Sequence, residues 1–266
     1  MTADVTALAA RLDEAARTAT AIPQLSDEQP LTLDEAYEVQ HTGIALRAGR
    51  GDTVVGVKLG FTSKAKAAQM GVSDVIVGQL TASMRAEDGG TVDVGTMVHP
   101  RIEPEVAFRL GADIDPQDPV VDPLAAVTDV APALEIIDSR YRDFRFSLHD
   151  VVADDTSAAG FVIGPWRRLG DVRSEIDLAN AAVVLEVDGE VAGTGSTAAI
   201  LGDPLRAIEA VARMARQHSL GVPAGSIILA GAATAAVPLT AGSVVEASVA
   251  GLGRVVVTAG KAGHDG

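Results

Sequence analysis

Two carboxylates, Glu103 and Glu105, stand two residues apart in Ile102-Glu103-Pro104-Glu105-Val106. On an extended chain, i and i+2 project from the same face, here beside Val106, Ala107 and Phe108, residues of core type. Like charges so placed repel, and burying them is costly unless a cation stands between them. An exposed strand edge, which Pro104 suits, explains the pair equally well. A third carboxylate, Glu135, lies alone in the apolar run Pro132-Ala133-Leu134-Glu135-Ile136-Ile137-Asp138. It either pairs with an arginine such as Arg140 or joins Glu103 and Glu105. Together the three would form an all-oxygen site for a hard divalent cation, Mg²⁺ or Mn²⁺ rather than zinc or copper, with positions left for a bidentate substrate. Lys58, in Gly56-Val57-Lys58-Leu59-Gly60, falls in an expected interior strand, where an unpaired ammonium is expensive. It either reaches solvent along its alkyl stem, or meets an anionic substrate or delivers a proton near the metal.

The chain that must position these residues has 266 residues, 47% of them hydrophobic, and a net charge of −15. Such acidity argues against nucleic acid or an anionic membrane as partner. Cysteine is absent, which removes disulfides, thiolate metal sites and a thiol nucleophile. The first ten residues lack the basic and apolar regions of a secretory signal. Residues 219–245 carry no charge, but Pro223, Gly225, Gly231, Pro238 and Gly242 interrupt them. Buried strands and turns are expected there rather than a spanning helix, and the protein reads as cytoplasmic. Asp113, Asp115, Asp118 and Asp122 mimic a calcium loop only superficially, with Pro116, Pro119 and Pro123 among them. Ser157 has no adjacent histidine to activate it, which disfavours a serine hydrolase.

Val5, Leu8, Ala9, Leu12, Ala15, Ala16 and Ala19 recur at helical spacing, and Thr32-Leu33-Asp34-Glu35 has the form of a capping box opening a second helix to about residue 47. From residue 53 the texture turns to short β-rich runs, at 53–59, 105–110, 133–137, 182–187, 226–230, 244–249 and 254–258. Two helices interrupt them. One is capped by Thr62 or Ser63 and ends at Met70-Gly71; the other opens at Asp203-Pro204 and runs to about His218. The expected class is α+β, with a helical N-terminal segment over 1–52 and a β-rich catalytic domain over 53–266.

Four segments, in order and spacing, resemble a known family: Gly56-Val57-Lys58-Leu59-Gly60-Phe61-Thr62-Ser63-Lys64, Glu103-Pro104-Glu105-Val106-Ala107-Phe108, Leu134-Glu135-Ile136-Ile137-Asp138-Ser139-Arg140 and Val152-Ala153-Asp154-Asp155-Thr156-Ser157. The family is the 2-oxo-3-hexenedioate (4-oxalocrotonate) decarboxylase and 2-keto-4-pentenoate hydratase group of the fumarylacetoacetate hydrolase superfamily. The resemblance implies a mixed β-roll core behind a helical N-terminal segment. It also implies Mg²⁺ or Mn²⁺ on Glu103, Glu105 and Glu135, with Lys58 in the active site and Ser157 and Asp154 on the loop lining the substrate pocket. Arg140 or Arg145 could meet a distal carboxylate, and both could equally form structural ion pairs. Pro104, and the run from Ile137 to Phe146, look like the decarboxylase branch. Hydratases tend to carry an Asp where Val75-Ile76-Val77-Gly78 places Ile76, which cannot move protons. The implied reaction is decarboxylation of 2-oxo-3-hexenedioate to 2-hydroxypenta-2,4-dienoate in the meta-cleavage catabolism of aromatic compounds, with hydration of that dienoate as the alternative. The implied partners are a small 2-oxo dicarboxylic acid, further copies of the chain and a paired hydratase.

Overall fold

The computed structural model describes residues 4–63, 74–117 and 122–260. The chain opens with three helices: α1 (Val5–Arg17), α2 (Leu25–Glu28) and α3 (Leu33–Gly49). Asp4 caps α1 by accepting from Ala7 N, and the helix buries Ala9, Leu12 and Ala15 along one stripe. Thr32 and Glu35 form the expected capping box at the start of α3. The later helix is Arg206–Gln217, two residues after the expected Pro204 start. Asp203 instead accepts from Leu205 N in a preceding turn. The short helix expected at Thr62 or Ser63 lies largely outside the described residues.

Two mixed sheets form the rest. The larger contains β1 (Val54–Gly60), β2 (Ile76–Thr81), β3 (Arg85–Ala86), β5 (Arg101–Leu110), β6 (Val127–Ile137), β7 (Ala158–Ile163), β8 (Arg167–Arg168), β11 (Ile227–Ala232) and β12 (Val237–Pro238). Its order is β2-β1-β11-β5-β6-β7-β3, with β12 added on β5 and β8 on β6. The smaller contains β4 (Thr91–Asp93), β9 (Ala182–Val187), β10 (Glu190–Ser196), β13 (Val244–Val249) and β14 (Gly253–Gly260), in the order β10-β9-β13-β14-β4. The uncharged stretch is spent on β11, β12 and the start of β13. Among the described residues no helix is long and apolar enough to cross a membrane.

Three apolar clusters hold these layers. Helices pack on one face of the large sheet through Leu12, Tyr37, Val57, Phe108, Val130 and Ile208. The two sheets meet through Ile102, Leu134 and Ile136 against Leu185, Val245 and Val257. The third cluster, with Ala107, Ala131, Ala133 and Leu229, lies on the opposite face of β5, β6 and β11 from Val106, Phe108, Val130 and Ile228. Strand parity puts Glu103, Glu105 and Glu135 on this third, small-residue face.

Pro104 does not mark an edge. β5 is central, between β11 and β6, so the exposed-edge explanation of the glutamate pair is wrong. Its cost is relieved locally: opposite Pro104, β11 jumps register from Leu229↔Ala107 to Ala232↔Glu105, a bulge where a proline has no N–H to offer.

Candidate metal centre and cavity

Antiparallel register places Glu103 directly across from Glu135, with Glu105 one pleat further along β5. One oxygen from each of the three lies within 4.8 Å of the others. All three are buried, Glu135 completely (0% exposed) and Glu105 nearly so (1%). Glu105 Oε2 accepts from Gly231 N at 2.7 Å. This contact exists because Gly231 forms the β11 bulge at φ +116°, and a Cβ there would lie 2.1 Å from Thr62 Oγ1. Glu105 Oε1 and both oxygens of Glu135 are buried without a hydrogen-bond partner.

Lys58 reaches the same place from β1. Its Nζ lies 3.0 Å from Glu135 Oε1, within ion-pair distance. Nζ also donates to Thr156 O at 3.1 Å. Thr156 sits in a turn, Asp155–Ser157, whose three residues all adopt left-handed backbone, with φ of 49°, 55° and 58°. Three such non-glycine residues in succession store strain of a kind concentrated at functional sites. Gly78 makes room: a Cβ there would lie 2.7 Å from Asp155 O and 3.2 Å from Lys58 Cδ. The turn is braced from the N-terminal helices. Gln40 of α3 donates to Val77 O in β2 and to Val152 O in helix Leu148–Ala153, each at 3.0 Å.

The electrostatics are lopsided. Burial pushes the Glu105 carboxyl well above the usual carboxylate range, and the charges of Glu135 and Glu103 push it further. Burial likewise raises Glu135, to about 7, against the pull of Lys58. For Lys58 burial works against the charged form, yet the three glutamates outweigh it and the ammonium is held above its ordinary value. Among the described residues, three carboxylates face the Lys58 ammonium, and their convergence within coordination reach, with unpartnered oxygens on Glu105 and Glu135, fits a hard divalent cation.

A cavity of about 330 Å³ opens from this centre. Lys58, Glu103, Thr156 and Ser157 lie along it, with Ile76, Ile137 and Val151, and Arg101, Phe144 and Phe146 are also among its lining residues. Ser157 Oγ and Thr156 Oγ1 are buried there without partners. Lys58, Glu103, Glu105, Glu135 and Ser157 therefore come together. Arg140 and Asp154 do not line this cavity. Arg140 Nε binds Asp154 Oδ1, its Nη2 binds Asp154 O, and its Nη1 donates to Asp138 O (2.6 Å) and Ala158 O (3.1 Å). That guanidinium is fully engaged inside the protein, so Arg140 follows the structural one of its two readings, and Arg140 and Asp154, expected at the substrate, brace both ends of the left-handed turn instead of facing this cavity. The idea that Glu135 pairs with Arg140 fails with it. Thr156, Arg101 and Phe144 were not anticipated. Arg101 had a readable signal, since it stands at i−2 from Glu103 and shares its face.

An α+β scaffold that brings three buried carboxylates and a lysine to one end of a cavity is that of a divalent-metal enzyme. The chain belongs to the fumarylacetoacetate hydrolase family, whose C-terminal domain model matches residues 53–259. It is 50% identical over 251 residues to a 4-oxalocrotonate decarboxylase of Pseudomonas sp, covering 94% of this chain and 96% of the relative. A 2-keto-4-pentenoate hydratase of Burkholderia vietnamiensis is 38% identical over 261 residues, with 96% and 97% coverage. Among solved structures, the 4-oxalocrotonate decarboxylase of Pseudomonas putida G7, complexed with magnesium and adipate, matches with a TM-score of 0.89 at 36% identity and covers 96% of each chain.

Proposed function

We propose that this protein is a magnesium-dependent carboxy-lyase that converts 2-oxo-3-hexenedioate to 2-hydroxypenta-2,4-dienoate and CO₂. The observation that carries this reading over hydration is the makeup of the cavity. Among its described lining residues the titratable side chains are Lys58, Glu103 and Arg101, and the position where an acid would serve a hydratase is Ile76. Adding water to the dienoate requires a proton at carbon. Decarboxylation does not: the C5–C6 bond breaks, CO₂ departs, and its electron pair shifts through the conjugated chain to the C2 oxygen. That oxygen alone takes a proton.

Glu103, Glu105 and Glu135 would hold Mg²⁺ or Mn²⁺, which supplies a Lewis acid for the 2-oxo acid end of the substrate. Lys58 Nζ, fixed by Thr156 O and charged by its three carboxylate neighbours, holds the proton that the C2 oxygen receives and regains it from water. Ser157 Oγ, buried and unpartnered beside it, offers a hydrogen bond to the substrate carboxylate. Ile76, Ile137 and Val151 keep water from the conjugated chain, through which the electron pair shifts. The same reading includes self-association and assembly with a partner hydratase, checked by light scattering of the protein alone and mixed with that enzyme.

The test is incubation of metal-free protein with 2-oxo-3-hexenedioate, with and without Mg²⁺, following CO₂ release and dienoate absorbance. Magnesium-dependent CO₂ release is expected. Consumption of supplied 2-hydroxypenta-2,4-dienoate without any CO₂ release from the diacid would make the protein a hydratase instead.

A further inference from the structure

We infer that Arg101, whose guanidinium carbon lies over the Phe144 ring, is the residue that selects a dicarboxylic substrate by pairing with its distal carboxylate. This deepens the decarboxylase reading and rests on it for the identity of the natural substrate. Three observations meet at this point. First, Arg101 opens β5 on the same face as Glu103 and Glu105, and all three positions alternate along one strand. Each two-residue step advances the strand by about 6.5 Å. A six-carbon diacid has five carbon–carbon bonds of about 1.5 Å, which zigzag to a span of roughly 6 Å. A substrate whose 2-oxo acid end lies at the glutamates therefore brings its far carboxylate to the neighbourhood of Arg101, not deeper into the protein.

Second, the guanidinium is prepared and unspent. Arg101 Cζ lies 4.5 Å from the centre of the Phe144 ring, and among the described residues Arg101 forms no ion pair. Of the two cations among the described lining residues, Lys58 already faces Glu135. Stacking on a ring leaves the edge of a guanidinium open, the geometry in which it grips a carboxylate with two parallel hydrogen bonds.

Third, Phe144 is itself fixed. It follows Asp143 in a left-handed turn, with φ of 58° and 56° for the two residues. Its ring centre lies 5.1 Å from that of His99 and 5.7 Å from that of Phe146. A strained turn that holds one aromatic ring in contact with both a histidine and an arginine orients the arginine at little further entropic cost on binding.

Arg101 is exposed at the cavity rim, which suits recognition and not bond breaking. An ion pair stabilises the carboxylate more than the CO₂ it becomes, so removing the arginine costs binding and spares turnover. The experiment uses metal-loaded protein and two ligands, adipate and 2-oxopentanoate, with dissociation constants from calorimetry. In Arg101→Met, adipate should bind at least about tenfold more weakly, the size expected for a lost charge-assisted pair, while 2-oxopentanoate changes less than about twofold. Arg101→Lys should fall between. Phe144→Leu should weaken adipate by about threefold through lost orientation alone. With 2-oxo-3-hexenedioate the Met variant should raise KM with kcat held or increased. Unchanged adipate affinity in the Met variant overturns the inference, as does equal weakening of both ligands, which would mean a distorted cavity. Wild-type protein that binds adipate through Arg101 yet releases no CO₂ would refute the proposed reaction and uphold this selectivity.

Discussion

Two groups of buried charge flank the left-handed turn Asp155–Ser157, and they are built on opposite principles. On one side Arg140 is matched. Its Nε, Nη1 and Nη2 reach Asp154 and the carbonyls of Asp138, Asp154 and Ala158. Asp138, in turn, accepts from Val98 N and His99 N. On the other side Glu103, Glu105 and Glu135 surround the Lys58 ammonium, and three oxygens of Glu105 and Glu135 have no hydrogen-bond partner among the described residues. A satisfied network fixes a conformation, whereas an unsatisfied one of a single sign is stable only when something else arrives. Burial is alike in the two groups, so the distinction is in the pairing and in the surplus of negative charge it leaves. That is why one group is architecture and the other a binding site.

Breaking each group should give opposite signatures. The largest effect belongs to Glu135→Gln, which should lower turnover roughly a thousandfold, equivalent to the several kcal/mol a Lewis acid supplies. Its metal-free form should be as stable as the wild type or about 1 kcal/mol more so, because a buried repulsion is relieved. Activity and urea unfolding of the same preparation check both halves. Arg140→Met should do the reverse, costing about 3–5 kcal/mol of stability by stranding buried Asp154, while the fraction that remains folded still binds Mg²⁺. Lys58→Met stands between the groups. It should reduce kcat about a hundredfold or more with Mg²⁺ still bound, as read by single-turnover kinetics and calorimetry.

Acidity sharpens the comparison further. The folded Glu135 carboxyl titrates near 7 and Glu105 is also raised, above an unfolded value close to 4.5. The folded state therefore holds protons that the unfolded chain has released, and metal-free stability declines as pH rises through about 7. Mg²⁺ must displace those protons, so its affinity climbs over the same interval. The rise in Tm on adding Mg²⁺ should be larger at pH 8 than at pH 6, by roughly 2–4 °C.

How much of this was legible follows the same line between charge and pairing. Alternation along β5 exposed the glutamate pair, and a lone Glu135 in an apolar run marked the third carboxylate of the cluster, because burying either needs a reason visible in composition. The Thr32 capping box was equally local and equally readable. Pairing across space was not. Asp154 lies fourteen residues beyond Arg140, and nothing in the chain says that their side chains close on each other instead of on a ligand. The turn Asp155–Ser157 contains no glycine to announce its left-handed backbone. Its conformation is imposed by Arg140, by Gln79 N donating to Asp155 Oδ1 at 2.8 Å, and by the space Gly78 leaves. Pro104 misled for a related reason, since only the bulge on a strand more than a hundred residues away makes a central proline tolerable.

The most direct test of the contrast is a calorimetric titration of Mg²⁺ into metal-free protein at pH 7, in buffers of different ionisation enthalpy, for wild type and Glu105→Gln. The account predicts one saturable site per chain in the wild type, with proton release on binding, and no such site in the variant. A wild type that takes up no Mg²⁺, or a Glu105→Gln protein that binds it as tightly, would contradict it.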